Sequence, residues 1–416
     1  MNSITFFTTK FFETINRLIF QTMKKIIVLL IFTTLFYAKL TFAQDSLITT
    51  LAKKNQTSFA KDANQLKGLG WDKIIKKAKE SSNVLIGEDH FTNEIPFFVS
   101  KIAEQIKFDN FFCEIDPFTA YIFEQKIKTL SAEALKKYTA DYGNTFSFYA
   151  FESEFDLLKQ LIKGKTNIRG TDQILLVADR LICNELMQST KNKRAKEIYQ
   201  IIRDQSKAHF SAFLKDQKNP FYLLTEDFEK KINELATLKL STQENKIVKA
   251  LKLTAKIYKS QDHHLRIQLM KNQLMADYDS WANKKNLYKY GANHAAKGES
   301  LLEIYDIGNL VNNVADSQFA NSLHIMIVGM SGFQASPFQG FPASKIDENE
   351  GSLKTLKPFF KLVDGKEWQC FDMVPIRKAV ESGKIKITDI KLLRIIQGFD
   401  LLVIIPEVTA SQFPKL

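Results

Sequence analysis

The chain has 416 residues, 45% of them hydrophobic and 12% aromatic, which suits one large α/β domain or two ordinary ones and excludes a disordered chain. Its 58 Lys and Arg outnumber 46 Asp and Glu, for a formal charge of +12. The lysines alternate with acids, as in DKIIKKAKE (72–80) and EDFEKKINE (226–234), so they describe a basic solvated surface; no nucleic-acid partner is expected, and no DNA- or RNA-binding motif occurs.

From Met23 the chain reads MKKIIVLLIFTTLFYAKLTFAQDS: two lysines, an apolar run over 26–38, then small residues at Thr41 and Ala43. This is the pattern of a secretory signal peptide (23–43) cleaved after Ala43, and it predicts export to the periplasm or beyond. The run of 13 residues falls short of the roughly 20 that span a bilayer, so no stable membrane span is expected once it is removed. Residues 1–22 precede the signal and read as a non-native extension. Without residues 1–43 the charge falls from +12 to +8, because five basic residues and one acid go with them.

Residues 44–67 are polar and read as a helix or leader. After them the pattern alternates. An amphipathic helix is predicted over 71–80, a buried strand over 83–87, a helix over 93–108, a strand over 111–115, a helix opened by Pro117, and a short strand over 166–170. From 173 to 285 strand signals vanish and heptad-like helical segments take over. Strands return at 286–290, 323–328 and 401–405, and 332–352 reads as a Gly/Pro/Ser-containing loop. Apolar strands alternating with helices imply an α/β fold, a mostly parallel sheet with helices on both faces and a large helical insertion. The expected organisation is a core in two parts, 68–172 and 286–416, divided by an insertion or cap at 173–285.

Three cysteines (Cys113, Cys183, Cys370) lie far apart, with no disulfide framework and no Cys-x-x-Cys metal spacing. The remaining chemistry gathers after the predicted strands. Glu88, Asp89 and His90 follow the first, Glu114 and Asp116 end the second, Asp172 follows the third, and Asn293 and His294 follow the fourth. In an open α/β sheet, ligands bind beyond the carboxyl ends of the strands. Two of these endings share the form Gly-x-x-His, Gly87 to His90 and Gly291 to His294; a glycine permits a sharp turn or a close approach there. A histidine beside a carboxylate is equipped to take a proton from water. Two histidines and a carboxylate (His90, His294 and Glu114) are alternatively a workable set of ligands for a divalent metal. Arg266 offers a fork of donors for a carboxylate or an oxyanion. His209, His263, His264 and His324 read as structural or solvated. No Gly-x-Ser-x-Gly elbow, phosphate-binding loop, dinucleotide fingerprint or His-Glu-x-x-His helix occurs.

VLIGEDH (84–90), FDNFFCEIDPF (108–118), IRGTDQ (168–173), RIQLMKNQLMADYDSW (266–281) and YGANHA (290–295), taken together, resemble the erythromycin-esterase-like and ChaN-like superfamily, which also holds the Tiki and TraB proteins. The resemblance runs from about Trp71 to Ile405. It implies catalytic roles for Glu88, His90, Glu114 and His294, and substrate binding by Arg266, with Asp89, Asp172 and Asn293 beside it. The expected activity is hydrolysis of a small-molecule ester or amide by a histidine-activated water, with no cofactor or with a divalent metal. The esterases usually have one more residue between the glutamate and the histidine; Gly-Glu-Asp-His is closer to the ChaN-like and Tiki spacing. The alternatives it implies are therefore haem or metal binding without catalysis, and a metal-dependent protease.

Overall fold

The computed structural model describes Met23 and residues 47–414, so the signal segment and the extension before it lie, Met23 apart, outside the described residues. The strands are β1 (Gln56–Asp62), β2 (Gln65–Lys67), β3 (Asn83–Glu88), β4 (Asn110–Cys113), β5 (Asn167–Gly170), β6 (Asn286–Gly291), β7 (Ser322–Gly329), β8 (Gly332–Gln334), β9 (Ser344–Ile346), β10 (Trp368–Asp372) and β11 (Leu401–Ile405). Nine of them form one sheet in the order β2-β1-β10-β11-β7-β3-β6-β4-β5. Every pairing from β11 through to β5 is parallel, and the pairings of β2, β1, β10 and β11 are antiparallel.

The parallel part follows from composition. β3, β6 and β7 are buried at every position, which requires cover on both faces. Their alternate side chains enter two separate cores. Val84, Ile86, Phe111 and Ile325 pack on one side, and Leu85, Phe112, Tyr288 and Met326 on the other. Helices Leu69–Glu80 and Glu94–Gln105 cover the first face; Ile307–Ser317 and Ile390–Gly398 cover the second. The expected α/β fold with a mostly parallel sheet is what the chain adopts.

Between β5 and β6 lie the helices Asp179–Ser189, Lys193–Lys215, Glu226–Thr237, Thr242–Ser260 and His263–Met275. β6 then inserts between β3 and β4, so that Glu88 pairs with Gly291 across the ladder. This crossing places the ends of β3, β4, β5 and β6 side by side at one edge of the sheet. Among the described residues, no helix is long and apolar enough to cross a membrane.

The antiparallel edge departs from the sequence reading. Residues 56–67, expected as helix or leader, form β1 and β2, and β10 was not expected. The cause is local: β1 (QTSFAKD) buries one residue, Phe59, so a strand close to the sheet's edge and partly wetted on most of its length shows no apolar run. The 332–352 loop contains the short hairpin of β8 and β9. All three cysteines are free and buried.

Candidate functional site

The geometry begins with the two Gly-x-x-His turns, which prove to be reciprocal. A Cβ on Gly291 would lie 2.8 Å from His90 Nε2, and a Cβ on Gly87 would lie 3.0 Å from Ala292 Cα and 3.0 Å from Ala295 Cβ. Each glycine thus makes room for the turn that follows the neighbouring strand. Neither is in the left-handed region; the close approach of the two turns is what requires them.

Glu114 joins the turns. Its Oε2 accepts from the Gly291 amide at 2.7 Å and lies 3.6 Å from His90 Nε2. Its Oε1 accepts from Arg266 Nη2 at 2.8 Å and lies 3.4 Å from His294 Nε2. Both imidazoles therefore flank one carboxylate. The same Arg266 donates through Nε to Asp172 Oδ1 at 2.9 Å and through Nη2 to Asp172 Oδ2. His294 Nδ1 is 2.8 Å from Asp306 Oδ2, and His90 Nδ1 is 2.8 Å from Glu88 Oε1. His90 stacks on Phe148 with ring centroids 4.4 Å apart.

The electrostatics separate the two histidines. Burial pulls the pKa of His294 down, but Glu114 and Asp306 outweigh it and carry it to about 10, so this ring is an imidazolium at neutral pH. Burial also opposes the charge on His90, and the hydrogen bond that its Nδ1 donates to Glu88, with the charges of Glu114 and Glu88, leaves its pKa raised. His90 has a quarter of its side chain exposed and His294 only 5%, so His90 is the ring that solvent reaches. Burial disfavours ionised Glu88, yet Lys289 and His90 prevail and hold its pKa below the usual value. For Glu114 the same contest, won by His294, His90 and Arg266, takes the pKa well below the carboxylate range. A small, partly open cleft lies beside Glu114 and Asp172, bounded by Thr119, Ser147, Gln173 and Tyr258.

No family model and no curated protein matches the chain. Among solved structures, a succinoglycan biosynthesis protein superposes with a TM-score of 0.57 at 14% identity, over 89% of this chain and 99% of that one. Erythromycin esterase EreC, a mutant in its open conformation, superposes with a TM-score of 0.54 at 13% identity, over 83% of this chain and 95% of that one. The chain has the erythromycin-esterase-like fold. ChaN of Campylobacter jejuni, solved with haem bound cofacially, reaches a TM-score of 0.30 at 14% identity over 65% of this chain and 91% of that one, too slight a likeness to bear on the site. Identities this low speak to the fold and leave the chemistry to the side chains.

Six of the eight residues singled out from sequence meet: Glu88, His90, Glu114, Asp172, Arg266 and His294. Asp89 turns toward the β8 side, where Gln334 Nε2 lies 3.4 Å from its Oδ1, and burial raises its pKa. Asn293 is half-buried and outside the carboxylate cluster. Arg266 reaches the site from the last helix of the insertion, with two of its nitrogens spent on the protein's own carboxylates.

His90, Glu114 and His294 do not fit a metal. Among the described residues no group of three or more His, Cys, Asp or Glu is placed to hold one. The surroundings agree: Arg266 already places a cation on Glu114, and Asp306 holds His294 at its other nitrogen.

Lys289, Glu154, Asp306 and Phe148 belong to the site and were not singled out from sequence. Lys289 had a signal, being a lysine inside the strand NLYKYG, whose every position is buried. Asp306 had a weaker one: it precedes the helix Ile307–Ser317 and caps it by accepting from the Ile307 amide. Glu154 and Phe148 had none.

Proposed function

We propose that the protein is an exported hydrolase that cleaves a small-molecule ester or amide with a water activated by His90. The observation that carries this reading is the placement of one partly exposed imidazole, tied at Nδ1 to an ionised Glu88 and directing Nε2 toward Glu114 at 3.6 Å. An ionised carboxylate only accepts, so Glu88 fixes the neutral ring with its proton on Nδ1 and the lone pair on Nε2. In the proposed reaction Nε2 takes a proton from water while the hydroxide adds to the acyl carbon. The resulting imidazolium lies between Glu88 and Glu114, and it returns the proton to the departing alcohol or amine. Arg266 has bonds through Nε and Nη2, which leaves Nη1 as a donor for a substrate carboxylate or the oxyanion. Substrate would enter by the cleft beside Glu114, with the 173–285 helices, through Tyr258, as its roof. The signal-like segment at 23–43 supports action after export.

The test is hydrolysis in ¹⁸O-labelled water of a panel of carboxylic esters and amides. One label in the released acid is the expected result. Absence of turnover across the whole panel overturns the reading.

A further inference from the structure

Lys289 is 3% exposed, in the middle of the sheet. Its Nζ donates to Glu88 Oε1 at 2.7 Å and to Glu154 Oε1 at 2.6 Å, and both carboxylates are buried. The Glu88 oxygen that takes Lys289 is the one that holds His90 Nδ1. Glu154 comes from the helix Glu152–Lys163, and its Oε2 has no partner among the described residues. Lys289 is too deep to touch substrate. A buried ion pair is also a poor means to stability, because desolvation costs several kcal/mol per ion and an apolar trio of the same volume serves as well. The arrangement calls for another role.

Without a cation beside it, ionised Glu88 would meet His90 with its whole charge and hold the ring as imidazolium, the form that takes no proton. With Lys289 on the same oxygen, that charge is offset, and the oxygen is held where it fixes the Nδ1 proton. We propose that Lys289 is a positioning residue, anchored by Glu154, that orients Glu88 and offsets its charge and so sets the basicity of His90. The consequence for turnover rests on His90 acting as the base; the effect on His90 itself does not.

The surrounding ionisable groups agree with this assignment. Burial opposes the charge on Lys289, but Glu154 and Glu88 prevail and keep it an ammonium. Burial takes Glu154 up to about 7, so the second carboxylate gives way before Glu88 does. Cys113 and Tyr149, the other ionisable groups against this cluster, are buried with raised pKa values and stay neutral. Facing His90 itself are Glu88 and Asp89 from its own turn, Glu114 from the end of β4, Lys289 from β6 and, from the helix Glu152–Lys163, Glu154.

The experiment is an NMR titration of the His90 imidazole, assigned by its absence in His90→Ala, in wild type, Glu154→Gln and Lys289→Met/Glu154→Gln. The double variant removes one charge of each sign and spares the fold an unpaired Glu154; Lys289→Gln in the same background replaces it if the Met variant is unstable. The expected result is a His90 pKa about one unit higher in the double variant than in Glu154→Gln. Lys289→Arg, which keeps the charge, restores the wild-type titration. Identical His90 titrations in the folded double variant and in Glu154→Gln overturn the proposal. A shifted titration in a protein that hydrolyses nothing on the ester and amide panel leaves the proposal standing and removes the hydrolase.

Discussion

Gly291→Ala separates stability from function in a way this site makes calculable. The Gly291 backbone has φ −52 and ψ 143, which alanine adopts without strain. The added Cβ would sit 2.8 Å from His90 Nε2, against 3.4 Å for the nearest ordinary contact, so the ring must retreat by about 0.6 Å. His90 is the partly exposed end of a flexible side chain, and its retreat costs little. Alanine meanwhile narrows the unfolded ensemble by about 0.4–1 kcal/mol, so the net change in stability stays within about 1 kcal/mol. The function bears the effect. Gly291 also carries the amide that holds Glu114, so a ring pushed from Gly291 leaves the carboxylate it faces. A misplacement of this size is expected to cut kcat/KM about 10–100-fold. Urea denaturation gives the first quantity, and initial rates with a His90 NMR titration give the second, in which the pKa falls back toward the ordinary value as Glu114 recedes. Full activity with an unmoved titration refutes the reasoning, and so does a loss of several kcal/mol in stability.

Two further outcomes follow from the same contacts. His294 has its pKa raised from 6.5 to about 10, so its stabilising contribution is complete below pH 6.5 and is lost as pH rises through about 10; at about 1.4 kcal/mol per unit the loss is at most roughly 5 kcal/mol. The denaturation difference between wild type and His294→Gln should therefore shrink from pH 6.5 to pH 10, and a constant difference contradicts the assignment. Arg266→Met strips the cation from Glu114 and Asp172 together and is expected to destabilise by about 3–5 kcal/mol in chemical denaturation. A change below about 1 kcal/mol shows that Arg266 is not the clamp.

The parallel sheet was legible because a strand buried on both faces has to be written as an apolar run, as in VLIG and LHIMIV. β1 and β10 were illegible for the converse reason. QTSFAKD and WQCFD mix polar and apolar residues with no clean period, and only the β11 edge they extend makes them strands. In the site, the repeated Gly-x-x-His was informative because β3 and β6 are neighbours and each glycine serves the other's turn. Distance along the chain hid the rest. Asp306 and Glu154 approach His294 and Lys289 from separate helices, and no local pattern marks a carboxylate that pairs inward rather than facing water. Asp89 shows the limit of proximity in sequence. Flanked by Glu88 and His90, it nonetheless points to Gln334, because successive residues leaving a strand aim in different directions.

The central claim is that one half-open imidazole, steadied by Glu88 and backed by Glu114, performs the chemistry. Its most direct test is kcat/KM for His90→Ala beside wild type on whichever panel ester wild type cleaves, with circular dichroism confirming the fold of both. Loss of general-base catalysis predicts a fall of about 10²–10⁴-fold with the spectrum unchanged. A variant that keeps its rate within a few-fold of wild type contradicts the account.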